Sequence, residues 1–243
     1  MTTREITASN LKPMRGRIVG DSFALAPPPL ENGDRLTRAE FERRYEAMPH
    51  IKKAELIEGV VHMPSPVRLD HSRPHARLVT WLGIYQESTP GADYADNSSV
   101  RLDADNEYQP DVVMWIESKH GGKSRVTDDG YLEGPPELVV EVSASSASYD
   151  LHEKRRVYRR VGVQEYLVWQ VYDEHIDWFE LSEGEYKPLP ADENGVVRSR
   201  VFPGLHLSTR AILADDLAQV LAELQRGLAG EEHAPFVARL ASA

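Results

Sequence analysis

The chain contains no cysteine, which excludes both disulfide staples and thiolate metal sites. It has no apolar run approaching the length of a membrane span, and no basic-then-apolar opening segment of the secretory kind. It has no internal repeat. Nor does it have an excess of basic residues: 28 Lys and Arg stand against 39 Asp and Glu, a formal net charge of −11. A protein that coats nucleic acid would carry the opposite sign, so any basic surface here must be a local approach and not a global one. The class that fits these absences best is a cytoplasmic enzyme. At 243 residues there is enough chain for one full-sized core or two small domains.

The order of elements narrows this further. Residues 1–34 read as an extended arm, because Ala26-Pro27-Pro28-Pro29 can form neither helix nor central strand. Thr37 with Glu40 makes a capping-box pattern ahead of Phe41 and Tyr45, which predicts a short helix reaching Met48. Residues 55–63 read as one strand bent at Gly59 and ended by Pro64 and Pro66. From His71 to Glu87 the residues Leu78, Leu82 and Tyr85 recur at helical spacing, with Pro74 tolerated in the first turn. Strands are expected over 94–102, 109–116 and 137–143, then a helix over 149–161 stopped by Gly162. A meander over 166–171, 176–181 and 186–189 precedes a helix over 209–228. The pattern predicts one α/β domain over 35–228, with a mixed central sheet flanked by helices and a flexible tail over 229–243.

Glu141 is the most informative residue. Its neighbours Leu138, Val139, Val140 and Val142 mark a buried strand, where an unpaired carboxylate is costly. Alternation puts Val139, Glu141 and Ser143 on one face. Either the strand lies at a sheet edge with Glu141 in water, or a partner, a proton or a metal keeps the charge there. Asp111 opens the next apolar strand upstream, and alone an Asp after Pro is an ordinary turn residue. Two such strands side by side bring both acids within reach of one magnesium ion, which needs few oxygen ligands and keeps waters for chemistry.

Lys154 adds a third member. At about 100° per residue, Leu151, Lys154, Val157, Tyr158 and Val161 share one helix face. Arg155, Arg156, Arg159 and Arg160 take the opposite side and read as a solvated stripe. Lys154 in the apolar stripe either snorkels outward along its stem or reaches the carboxylates, where it would stabilise charge developing on a phosphate. Trp169 and Trp178 read as meander core and not as base-stacking platforms.

Pro110-Asp111, followed by Glu141 in the run Glu137-Leu138-Val139-Val140-Glu141-Val142, resembles the signature of PD-(D/E)XK nucleases. The surroundings are closer still. Glu55-Leu56-Ile57-Glu58-Gly59, Ser65-Pro66 ahead of His71, Tyr149-Asp150 ahead of Lys154, Tyr158, and Gly162-Val163-Gln164-Glu165-Tyr166-Leu167-Val168 together resemble the Uma-two family of endonucleases over 36–207. The resemblance implies a PD-(D/E)XK restriction-endonuclease-like mixed sheet flanked by helices. It also implies hydrolysis of phosphodiesters dependent on Mg2+ or Mn2+, with DNA as the expected substrate and Asp111 and Glu141 as the metal ligands. Ser143 stands where the superfamily usually has lysine; in this family the lysine comes from the next helix, where Lys154 lies. An upstream acid is common. Glu55 and Glu58 fall on opposite faces of a regular strand, so at most one serves, and the family pattern favours Glu55. His71 matches a histidine just before the family's second helix, and reads equally as a surface or capping residue. Asp150 reads as an N-cap. The alternative is a nucleic-acid-binding module that keeps the fold without cleavage, which the acidic charge and Ser143 favour. Cutting both strands of a duplex would favour a two-fold homodimer.

Overall fold

The computed structural model describes residues 26–64, 67–144 and 153–243. The expectations for residues 1–25, for Ser65 and Pro66, and for Tyr149, Asp150 and Leu151 lie outside the described residues.

Thr37 accepts a hydrogen bond from the Glu40 N–H (3.4 Å) and opens α1 (Arg38–Glu46), as its capping pattern predicts. Ahead of it, residues 26–34 are docked: Leu30 is buried and the Gly33 N–H donates to the Val61 carbonyl (2.8 Å). Residues 55–63 are not one bent strand but a hairpin, β1 (Glu55–Ile57) and β2 (Val60–His62). Glu58 and Gly59 have φ of 48° and 75°, the two consecutive positive values that a tight type I′ turn requires. The side chain of Asn106 steadies that turn by accepting from the Glu58 N–H (2.8 Å).

α2 (Leu69–Glu87) begins two residues before His71, so Pro74 falls in the second turn and removes one helical hydrogen bond there. The expected strand over 94–102 is two strands, β3 (Ala92–Asp96) and β4 (Val100–Asp103). Asn97, with φ of 47°, redirects the chain between them from one sheet to another. There follow β5 (Asn106–Tyr108), β6 (Val112–Ile116), the short β7 (Arg125–Val126) and β8 (Leu132–Glu133), then β9 (Leu138–Ser143). α3 (Arg155–Val161) ends at Gly162 in the left-handed conformation, φ 91°. The meander appears as β10 (Glu165–Gln170), β11 (His175–Ser182) and β12 (Glu185–Pro188), and a hairpin of β13 (Val196–Arg198) and β14 (His206–Ser208) follows.

The expected helix over 209–228 is broken into α4 (Thr209–Leu213) and α5 (Leu217–Leu228). Asp215 takes φ of 62°, and Asp216 caps the second helix by accepting the Gln219 N–H (3.0 Å). In place of a flexible tail, α6 (His233–Ser242) packs back onto the domain with Phe236 and Leu240 buried. Their four-residue spacing is the helical period that drives such docking.

The larger sheet has the order β12-β11-β10-β9-β6-β3 and is mixed, with β9 and β10 parallel and its other pairs antiparallel. One face, through Met114, Val140 and Leu167, packs on Trp81 and Leu82 of α2, Leu224 of α5 and Phe236 of α6. The other face, through Val113, Val139 and Val168, meets Val157 and Tyr158 of α3 and Tyr108 of a second sheet, β2-β1-β5-β4-β8-β7. The mixed sheet flanked by helices is therefore present, with the second sheet as an addition. β9 lies between β10 and β6, so Glu141 is on an inner strand and the edge-strand reading fails.

Candidate functional site

β6 and β9 run antiparallel with Val113 opposite Val139 and Val112 opposite Val140. One step further along that register sets Asp111 opposite Glu141, on the sheet face of Val113 and Val139. Both carboxylates are buried, at 3% and 2% exposure. Glu55 arrives from β1 of the second sheet, and Lys154 from the turn that opens α3.

The contacts form two linked groups. Lys154 Nζ donates to Glu55 Oε1 (3.0 Å) and to Glu141 Oε1 (2.9 Å). One turn later Tyr158 donates its hydroxyl to the same Glu141 oxygen (3.1 Å), and the Gln109 N–H donates to Glu55 Oε1 (2.9 Å). Lys154 therefore does not snorkel to solvent. In the second group, Asp111 Oδ2 accepts the Val142 N–H (2.8 Å) and lies 3.1 Å from His71 Nε2. Lys53 Nζ stands 3.7 Å from Asp111 Oδ1, and His75 Nε2 meets the Asp111 carbonyl at 3.0 Å.

The structure thus brings together Asp111, Glu141, Lys154, Glu55 and His71. It leaves Glu58 out: that residue sits in the hairpin turn and pairs with Arg156 (2.6 Å) and Arg160 (3.0 Å). The arginine stripe is engaged within the chain, with Arg155 over the Phe179 ring (4.0 Å) and Arg159 on Glu185 (2.5 Å). Trp169 and Trp178 are buried, as expected of core. Three contributors lie outside the expected site residues: Tyr158, named above only for its helix face and family motif, Lys53 and His75. Tyr158 follows Lys154 by four residues, a spacing that puts both on one helix face. Lys53 precedes its strand with no local signal, and only the tertiary fold brings it to Asp111.

The electrostatics follow from these partners. Burial opposes ionisation of Asp111, but the His71 hydrogen bond, the charge of Lys53 and the Val142 N–H outweigh it and hold its pKa at about 2. Burial likewise opposes ionisation of Glu55, and Lys154, Lys53 and the Gln109 amide keep its pKa below the usual value. For Tyr158, burial and the neighbouring Glu141 charge push the phenol well above its ordinary pKa, so it remains a donor. Around these groups lies an open cleft of about 1060 Å³, lined also by Lys52, His62 and Arg68. Three carboxylates there face two lysines, leaving the cluster one formal negative charge.

Among the described residues, no three His, Asp or Glu side chains are grouped so as to hold a metal ion unaided. The donor set does suit a hard divalent cation: two facing carboxylates that offer oxygen only. Mg2+ commonly takes one or two protein carboxylates and completes its shell from water and substrate.

A family model described as "Putative restriction endonuclease" matches residues 38–210. The chain belongs to the Uma2 family. The matched segment contains Glu55, Asp111, Glu141 and Lys154, while α5 and α6 of this Uma2 chain lie beyond it. The fold is similar to a solved structure from Anabaena variabilis described as "a putative nuclease belonging to DUF820". The two share 15% identity at a TM-score of 0.53, over 67% of this chain and 90% of that one. At that identity the likeness is one of fold. No curated protein matches the chain. Family and fold together point to a restriction-endonuclease-like nuclease.

Proposed function

We propose that the protein is a metal-dependent endonuclease that hydrolyses phosphodiester bonds in DNA, with Asp111 and Glu141 holding Mg2+ or Mn2+. The observation that supports this is the pair of buried carboxylates set opposite each other, Asp111 just ahead of β6 and Glu141 on β9, with Lys154 in contact with Glu141 and a cleft in front. When bound, the ion would polarise a phosphate oxygen and favour ionisation of an attacking water.

The chain's own residues do the rest. Asp111 is ionised at any working pH, so its oxygens need no proton loss before binding a cation. Tyr158 and the Val142 N–H fix the two carboxylates in place, which limits reorganisation as charge develops. Lys154, itself buried at 4% exposure at the wall of the cleft, is the group that stabilises the developing negative charge on the phosphate. Glu55 acts through it, anchoring the ammonium within reach of Glu141. His71 orients Asp111, and Lys53 draws the phosphate into the cleft. Double-strand cutting would take two copies related by a two-fold axis.

The second reading is a binding module without cleavage. One observation favours it: Arg156 and Arg160 are neutralised by Glu58 and Asp103 of the same chain, which removes them from the supply of phosphate contacts. Incubation of supercoiled plasmid with the protein in Mg2+, Mn2+ or EDTA separates the two. Cleavage should require the metal and vanish in Asp111→Ala and Glu141→Ala; undiminished cutting by either variant would refute the assignment, and intact binding without product would favour the module.

A further inference from the structure

We infer that Tyr172 is a stacking platform for an unpaired nucleobase, so that nucleic acid enters the cleft as a single strand. The inference rests on the nuclease reading above and specifies its substrate.

β9 and β10 are parallel, with Val168 opposite Glu141. The chain leaving β10 therefore emerges at the same end of the sheet as the carboxylates, and Tyr172 lines the cleft there at 63% exposure. An exposed tyrosine ordinarily samples several rotamers. This one is tied: its hydroxyl donates to Asp70 Oδ2 at 2.6 Å, in the first turn of α2. The next residue is His71, whose ring meets Asp111. The ring is thus held by its polar end at the rim of the site, with apolar surface left uncovered, the arrangement that makes binding to a ring face cheap in entropy.

The surrounding surface is of the same kind. Four large hydrophobics are exposed among the described residues: Val67, Leu69, Val126 and Tyr172. Val67 and Tyr172 line the cleft, and Leu69 lies between the lining residues Arg68 and Asp70. Phosphate recognition alone calls for charge and gives no reason for apolar groups at this rim. Charge is present as well, in Lys52, Lys53 and Arg68, on a chain whose net charge is −11. An aromatic face in a cleft that also offers cations is the combination that holds single strands, with bases on rings and phosphates on cations. Inside a duplex the base faces are already occupied by one another, so away from its ends the ring has nothing to stack on.

The test is fluorescence anisotropy of the full chain with a fluorescein-labelled 12-nucleotide DNA strand, and with the duplex of the same sequence, in EDTA so that nothing is cut. Wild type should bind the single strand more tightly than the duplex. Tyr172→Ala should weaken single-strand binding about 5- to 150-fold, the range for loss of one stacked base. Tyr172→Phe, which keeps the ring and loses the bond to Asp70, should stay within about threefold of wild type. Duplex binding should not respond to either change. No single-strand binding by wild type, an unaffected Tyr172→Ala, or an equal loss on the duplex would each overturn the inference. The two readings fail separately. Metal-dependent cutting that needs Asp111 but ignores Tyr172 would leave the nuclease and remove the platform. Tyr172-dependent binding with no cutting in any metal would do the reverse.

Discussion

Lys154→Met is the perturbation whose size follows most directly from the site. Methionine keeps most of the side-chain length and removes the ammonium that lies between Glu55 Oε1 and Glu141 Oε1. Lys154, Glu55 and Glu141 are all at or below 5% exposure, so the two carboxylates would be left together out of water. Breaking a buried ion pair from one side costs about 3–5 kcal/mol. With a urea slope of about 3 kcal/mol/M for a chain of this size, the unfolding midpoint should fall by roughly 1–1.7 M. The loss should also depend on pH. In wild type the pKa of Glu55 is lowered, so its contribution is present above the unfolded value of 4.5 and is lost as pH falls through the folded value. Without Lys154, burial and the adjacent Glu141 charge should outweigh what Lys53 and the Gln109 amide still contribute, so the carboxyl pKa should rise above its unfolded value and the variant should lose stability as pH increases. The gap between the two proteins should therefore be widest near pH 7.5 and narrow near pH 4.5. Urea melts followed by tryptophan fluorescence in EDTA at both pH values measure it. A variant within about 1 kcal/mol of wild type at pH 7.5, or a gap unchanged by pH, would refute the buried ion-pair reasoning.

Three further outcomes are expected. Glu55→Gln should reduce metal-dependent cutting, whereas Glu58→Gln should leave it unchanged and shift stability by less than about 1 kcal/mol, because Glu58 serves only surface pairs; plasmid assays and thermal melts of both variants check this. Glu165 is buried, and burial raises its pKa to about 7 despite donors from Ser199, Arg200, Val201 and Trp178. Its contribution is thus full below about 4.5 and declines as pH rises to 7, so the stability of Glu165→Gln relative to wild type should improve by up to about 3 kcal/mol across that window; a constant difference would contradict it. Phe236→Ala should cost about 3–5 kcal/mol and expose α6 to limited proteolysis, since that ring packs against Phe202 in the main core.

How much of this was legible in the sequence depended on whether the signal was local. The interruption of Val139, Val140 and Val142 by Glu141 marked a charge needing a partner unless the strand lay at an edge, and the place of Lys154 on an apolar helix face offered one, with snorkelling as the alternative. Both are periodicity arguments, and both carboxylate and ammonium meet at 2.9 Å. The meander and the Gly162 stop were legible for the same reason. The hairpin at Glu58-Gly59 was not, because one of its two positive-φ residues is a glutamate and carries no turn signature. The break at Asp215 hides similarly inside an otherwise continuous apolar pattern. Lys53, His75 and the second sheet depend on tertiary contacts between segments far apart in the chain, and no spacing rule reaches them. α6 was a different case: Phe236 and Leu240 have helical spacing, but a short terminal segment after Gly230 reads as a tail unless its docking surface is known.

The proposed chemistry requires that Asp111 and Glu141 share a divalent cation. Anomalous scattering from a crystal soaked in Mn2+ measures that directly. A peak between the two carboxylates, absent from a matched crystal of Asp111→Asn, is the expected result. Ordered carboxylates with no peak between them, or manganese bound only elsewhere, would contradict it.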